Sequence, residues 1–415
     1  MRRIQKHPMF PIFLVVFFGY VGFSLAFPIF TPMFLDVDHH FLPANFPIEY
    51  RTVMLGCVLA AYPIGQFLGL PLLGELSDHY GRKNVLQVTL CVTFLAYLLS
   101  AGAILLHSYW LLLVSRFICG YAEGNFSIAQ STAADISVGH QRVKNFGIIN
   151  MAAGLGFVIG PIIGGKLADP SIISWFGDDI PFWFSAILAL VTMAMVAWQL
   201  PETKPKNERD PNHKIHPFSG LVILHRNFSR SGGRGLYLIN FLFYFGLFFF
   251  YQYFPALLVS RFDYTSSDIA NISAYIAVII AFSQFCIVRP LAKHVKSRHA
   301  TIFAAFLLAP SLIGLTLDHY KFVIYIALPC AALFMSIATT NLQSVVSHSV
   351  SEDMQGEVMG VNYSMQILGE IITSLLGGFL AGYFLISMPL IIGGVIVFTA
   401  AIALWMFTTK DLYQR

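Results

Sequence analysis

The chain has 415 residues, 57% of them apolar and 11% charged, against roughly 45–50% and 25% in a soluble globular domain, so a water-soluble fold is excluded. Its net charge of +4 says little until each Lys and Arg is placed by segment. The five cysteines (Cys57, Cys91, Cys119, Cys286, Cys330) fall inside apolar segments without a CxxC pair, so neither a disulfide framework nor a zinc site follows.

A membrane-spanning helix needs roughly 20 apolar residues. Twelve such runs are read in chain order, near 10–35, 52–73, 84–106, 110–135, 145–168, 181–200, 235–259, 270–290, 300–317, 322–346, 357–382 and 387–408. The basic start of the chain resembles the n-region of a signal peptide. The first run is too long for a signal core and lacks a small-residue cleavage site, so it is expected to stay as a spanning helix. The 39 Phe suit lipid-facing and packing positions. Connections are short except at 36–51 and at 201–234, the latter polar, Pro-containing and basic. The expectation is an all-α membrane protein of twelve transmembrane helices in two pseudo-symmetric six-helix bundles, 1–200 and 235–415, joined by a linker over 201–234.

An even helix count puts both termini on one side. That side carries twenty Lys and Arg against four (Arg51, Lys166, Arg261, Lys321) on the other, with Arg116 left inside the membrane. The positive-inside rule then places both termini in the cytoplasm and the chain, multi-pass, in the cytoplasmic membrane. Laid on one another at an offset of 213 residues, the fifth and eleventh runs bring Gly147, Gly156, Gly164 and Gly165 onto Gly360, Gly369, Gly377 and Gly378. Repeated helical halves are a common build for transporters that rock about a central site.

The loop between the second and third runs reads Gly74-Glu75-Leu76-Ser77-Asp78-His79-Tyr80-Gly81-Arg82-Lys83. Gly74 and Gly81 permit a tight reversal, Asp78 accepts from helix-terminal amides or from arginine, and Arg82 offers a bidentate partner. This loop resembles the signature cytoplasmic loop of the major facilitator superfamily. The resemblance implies that Asp78 and Arg82 latch the two halves on the cytoplasmic side, with Asp135 as the partner of Arg82. The matching loop of the second half, 291–298, is basic but has no Asp and no glycine pair, so the latch is asymmetric.

In the fifth run, Gly156, Gly160 and Gly164 recur every fourth residue, with Pro161 and Gly165 beside them. That stripe suits close helix packing, and Pro161 removes a backbone donor. The segment is similar to the helix-five motif of the drug:proton antiporter branch, which includes tetracycline exporters, and implies export.

In the fourth run, Arg116 and Glu123 lie seven residues apart and share a face, roughly 10 Å apart along a straight helix. Charges at this depth cost several kcal/mol unless they meet a cavity or a partner. Arg116 resembles the family's helix-four arginine, linked there to proton transfer. Glu370 is the other carboxylate far from a loop. Glu123, Glu370 and Asp135, in that order, are the candidate proton sites. No acid stands within the first run, where tetracycline exporters have one, which argues against tetracycline as cargo.

Tyr20, Gln66, Asn240, Tyr244, Gln252, Asn341, Asn362 and Gln366 are the candidate cavity-lining residues, suited as a set to an amphipathic molecule. The Asp36-Val37-Asp38-His39-His40 stretch is read as a solvated loop rather than a metal site. No GxxxxGK[ST] motif occurs, so no nucleotide cofactor is expected. The expected protein is a monomeric, non-enzymatic secondary transporter surrounded by lipid. Its partners are a small-molecule substrate and protons, with no nucleic acid. Proton-coupled uptake of a nutrient or siderophore-like compound is one alternative. A non-transporting membrane sensor is another.

Overall fold

The computed structural model describes residues 8–137, 140–204, 234–317, 321–347 and 355–413, and every regular element among them is helical. Residues 205–233, most of the expected linker, lie outside the described residues. The helices are α1 (Met9–Ser24), α2 (Phe27–Leu35), α3 (Ile48–Tyr80), α4 (Arg82–Leu105), α5 (Tyr109–Ala122), α6 (Asn125–Asp135), α7 (His140–Leu167) and α8 (Ile180–Gln199) in the first half. The second half holds α9 (Arg234–Phe262), α10 (Ser266–Ser283), α11 (Arg289–His294), α12 (Ser297–Gly314), α13 (Lys321–Ser347), α14 (Gln355–Tyr383) and α15 (Met388–Tyr413).

Among the described residues, ten helical segments are long and apolar enough to cross a bilayer, with α1 and α2 counted as one and α10 joined to α11. The expected runs at 110–135 and 300–317 are not among these ten. The first is divided at Glu123-Gly124 into α5 and α6, of 14 and 11 residues, and the second is α12, of 18. Pro28, near the start of α2, lacks the N–H that would carry α1 onward, and the chain makes one short turn there. Between α10 and α11 lies a π-helical turn, Gln284–Val288, whose first side chain donates to Ser336 Oγ (3.1 Å) and Thr340 Oγ1 (2.7 Å) on α13.

Small residues set the helix packing. Gly65 and Gly69 on α3 face Gly120 and Gly124, and a Cβ added at Gly120 would stand 2.7 Å from the Tyr62 carbonyl carbon. With lipid outside, such backbone-to-backbone contact supplies the dispersion that holds helices together. The stripe Gly156, Gly160 and Gly164 lies on α1, with Cβ positions 2.8 Å from Tyr20 Cβ, 2.6 Å from Val21 O and 2.9 Å from Leu25 Cα.

The glycine frame that relates the fifth and eleventh runs is also a frame of contacts. Gly156 meets α1 and Gly369 meets α9, the first helix of each half. Gly164 and Gly377 repeat this one level further along, against Leu25 and Tyr253. Gly165 and Gly378 cross to the opposite half: Gly165 meets Ser266 and Ala270 on α10, and Gly378 meets Thr52 and Gly56 on α3. Gly147 and Gly360 meet nothing within 4 Å. The seam between halves is therefore sealed at the face bearing Asp36 and loosens toward the face bearing Arg82. Lys166 Nζ to Ser267 Oγ (2.8 Å) and the packing of α2 on α9 and α10 add to the seal.

At the Asp36 face, the buried Arg51 guanidinium donates to the carbonyls of Phe46, Phe34, Asp36 and Pro43 and so fixes the 36–47 loop. His39 Nε2 meets Asp178 Oδ2 at 2.5 Å and ties this loop to the one before α8. Burial draws the His39 pKa down, but the hydrogen bond and charge of Asp178, with Asp36 behind it, outweigh this and raise it overall. A raised imidazolium pKa makes the tether fully present below the ordinary value of about 6.5 and lost as pH rises through the shifted value. The unfolding temperature of the purified protein is therefore expected to drop by a few degrees between about pH 6 and pH 9. His39→Gln should remove that difference, and an equal drop in the variant would rule the tether out as its source.

Candidate functional site

Where the two halves meet at mid-depth, Tyr20 from α1 and Tyr363 from α14 share a hydroxyl–hydroxyl hydrogen bond of 2.6 Å. Gln66 Nε2 donates to the same Tyr363 oxygen at 3.2 Å, and the Phe126 ring lies 4.8 Å from that of Tyr363. Each half brings a buried carboxylate close to this bridge of α1, α3 and α14: Glu123 lies against Gly19, the residue before Tyr20, and Glu370 stands two turns after Tyr363 on α14.

Glu123, 3% exposed, closes the last turn of α5, and its Oε1 lies against Gly19 of α1, where any Cβ would collide with it. Arg116, 2% exposed, has no carboxylate oxygen within 4.0 Å among the described residues. Its guanidinium sits over the rings of Tyr62 (4.8 Å), Phe30 (5.6 Å) and Phe182 (6.0 Å), while Nε and Nη1 lack hydrogen-bond partners. The aromatic faces supply part of the missing attraction. In the second half, Glu370, 5% exposed, stands beside Gln252 with Oε1 unpartnered. Gln252 Oε1 accepts from Ser374 Oγ at 2.9 Å, and the Tyr253 hydroxyl donates to the Ser374 carbonyl. Asn240 and Asn362 are also buried with unpartnered side-chain atoms. Unpartnered polar groups at this depth are costly unless something exchangeable meets them.

The other candidates are dispersed. Tyr244 receives Gln343 Nε2 (3.3 Å) inside the second half, and Asn341 donates to Ile337 O on its own helix (2.9 Å). Gln366 is half-buried on α14, one turn from Asn362. Tyr363 was not anticipated. The polar residue that shares its helix face is Gln366, three positions on and already a candidate, and that was the signal available for it.

The loop at the Arg82 face is fully knit. Arg82 Nη2 bonds Asp78 Oδ1 (2.9 Å), Nε bonds Asp135 Oδ2 (3.1 Å) and Nη1 bonds Ser77 Oγ (2.5 Å). Gly81, with φ 99°, makes the reversal that only glycine adopts freely. Gly74 has only Ser127 Oγ near its Cβ position, at 3.5 Å, an ordinary contact. Lys83 Nζ donates to Ala197 O (2.7 Å) at the end of α8. Asp135, ranked third as a proton site, is an ion-pair partner here. The partners named here, Ser77, Asp78, Asp135 and Ala197, all belong to the first half.

The sequence profile of the Major Facilitator Superfamily matches residues 12–369 and again 236–414. The chain belongs to this superfamily. It is 27% identical over 352 residues to the class C tetracycline resistance protein of Escherichia coli, covering 82% of this chain and 81% of that protein. The crystal structure of the human organic anion transporter MFSD10 (TETRAN) superposes with a TM-score of 0.71 at 23% identity, covering 97% of this chain and all of that one. A bacterial homologue of the human lysosomal transporter Spinster, solved inward-facing and unoccupied, gives a TM-score of 0.75 at 14% identity over 100% of this chain and 99% of that one. As a member of the superfamily, the protein is a multi-pass membrane transporter for small molecules and not an enzyme.

Proposed function

We propose that the protein is a proton-driven exporter of a small amphipathic compound, working by alternating access in the cytoplasmic membrane. The observation that carries this reading is one buried carboxylate in each half, Glu123 against Gly19 beside Tyr20 and Glu370 on the helix that carries Tyr363. A carboxylate in a dry site is held at tolerable cost when it carries a proton or faces a cation. Carriers that expose the two sites alternately can then exchange protons for cargo. Gln66, Gln252, Asn240 and Asn362 supply the orienting polar groups, and the phenyl rings supply the apolar walls. The similarity to a tetracycline resistance protein favours export.

In this reading residues 1–200 and 235–415 are the two rocking bundles, 201–234 joins them, and both termini lie in the cytoplasm. The Asp78–Arg82–Asp135 cluster is then the part of the cytoplasmic gate carried by the first bundle. Reconstitution into liposomes with an imposed pH gradient and a panel of amphipathic compounds tests the proposal. Uptake into inside-out vesicles driven by an acidic interior is the expected result, and absence of flux under every gradient would favour a sensor instead.

A further inference from the structure

The second half holds a polar cluster apart from the two carboxylates. Its frame is the π-helical turn Gln284–Val288 between α10 and α11, an irregularity that is frequent at functional sites. From the head of that turn Gln284 Nε2 donates to Ser336 Oγ (3.1 Å) and Thr340 Oγ1 (2.7 Å), which neighbour each other on one face of α13. Gln343, the next polar residue along that face toward the Arg82 end, is exposed and donates to the Tyr244 hydroxyl of α9 (3.3 Å). The face thus runs from an exposed amide, through half-buried Thr340 and Gln284, to Ser336, 2% exposed. Ser283, beside Gln284 in the chain and fully buried, has an Oγ with no partner among the described residues.

These hydroxyls differ from their neighbours in where their hydrogens go. Ser273, Thr301, Ser311 and Thr339 each donate back to a carbonyl one turn earlier on their own helix. Ser336 and Thr340 do not: each accepts from Gln284 and donates to no described residue. The Gln284 amide brings two donor hydrogens and each hydroxyl one, and the two contacts consume two of those four. That count holds for either orientation of the amide, so two donors are left over. A donor shut away from water is costly until an acceptor meets it. None of these bonds involves a Lys or Arg, so an anion here would lack a counter-charge, whereas a neutral oxygen meets the donors without one. We propose that Gln284, Ser336 and Thr340 form a subsite for a neutral carbonyl, amide or sulfonyl oxygen of the cargo. The subsite rests on the exporter reading above and narrows it, the carboxylates exchanging protons while these donors select the cargo.

The test compares two probes on the purified full chain in detergent. Dansylamide carries a neutral sulfonyl acceptor, and dimethylaminonaphthalene is the same ring system without it. Energy transfer from the tryptophans of the protein reads the binding of each. The parent should bind dansylamide several-fold more tightly. Thr340→Val keeps the shape of the side chain and removes the hydroxyl, and should weaken dansylamide about two- to tenfold, the range of one hydrogen bond, with dimethylaminonaphthalene unchanged. Thr340→Ser should stay near the parent. No preference for dansylamide in the parent, an unchanged affinity in Thr340→Val, or an equal loss of both probes would overturn the subsite. The pH-gradient liposome assay separates this inference from the exporter reading. If the parent accumulates carbonyl- or sulfonyl-bearing compounds of the panel and Thr340→Val does so with unchanged KM, the subsite alone fails. If the parent accumulates nothing while the two probes part as expected, export fails and the subsite stands.

Discussion

Glu123→Gln is expected to reduce pH-gradient-driven accumulation to the level of empty liposomes while leaving the protein folded. Gln keeps the size and planarity of the side chain, so the contact with Gly19 and the turn at the end of α5 survive. What it loses is the ability to exchange a proton. A buried carboxylate without a paired cation is tolerated in the membrane chiefly as the neutral acid, and Gln imitates that form permanently. Arg116 does not supply the missing cation, being held among Phe30, Tyr62 and Phe182. Downhill exchange of substrate across a membrane without a pH difference should therefore persist in the variant, because that process needs the conformational cycle but no net proton movement. Accumulation that survives the substitution would move the coupling role to Glu370, the matching carboxylate of the second half.

Gly165→Val is expected to abolish transport by a different route, wedging the seam open at the Asp36 face. A Cβ at this position would lie 2.6 Å from Ala270 Cβ and 3.0 Å from the Ser266 carbonyl carbon, both on the opposite half. The helices α7 and α10 must separate to admit it. Overpacking of this kind costs about 1–3 kcal/mol, and because it falls on one conformation alone, it shifts a two-state equilibrium by roughly 5- to 150-fold. Purified Gly165→Val should be as monodisperse as the parent, and a cysteine placed at Thr52, which is buried in the seam against Gly378 and Gly382, in a chain with its five native cysteines replaced, should react with a maleimide several-fold faster. Gly120→Val supplies the contrast. Its Cβ would strike the Tyr62 backbone inside one half, a contact present in every state, so the expected result is loss of folded protein. Slow labelling in Gly165→Val would show that the seam does not part where its glycines meet.

The apolar runs were legible because transfer of each stretch from water to lipid is a property of that stretch alone. The runs at 110–135 and 300–317 show the limit of that reading. Mean apolarity read 110–135 as one run, whereas the chain breaks at Glu123-Gly124, where Gly124 lies against Gly69 of α3, a contact between two helices. The stripe Gly156, Gly160, Gly164 was visible as a stripe, and its partner α1 was not. Asp78 and Arg82 stood out because they share one ten-residue loop, whereas Glu202 reaches Arg82 across 120 residues of chain. Tyr363 was passed over because a tyrosine in an apolar helix is ordinary until its hydroxyl is seen to meet another, 343 positions away.

By itself, then, the sequence determined the solvent of this protein, the asymmetry of its basic loops and the 213-residue frame of its glycines, since hydropathy, charge and spacing are sums over single positions. The tertiary structure alone decided that Gly165 and Gly378 cross the seam while Gly164 and Gly377 do not, that Tyr20 and Tyr363 join the halves at mid-depth, and that the face bearing Asp36 is the sealed one. These are relations between surfaces, and neighbouring residues in a helix point so differently that one step along the chain exchanges a contact within a half for a contact between halves.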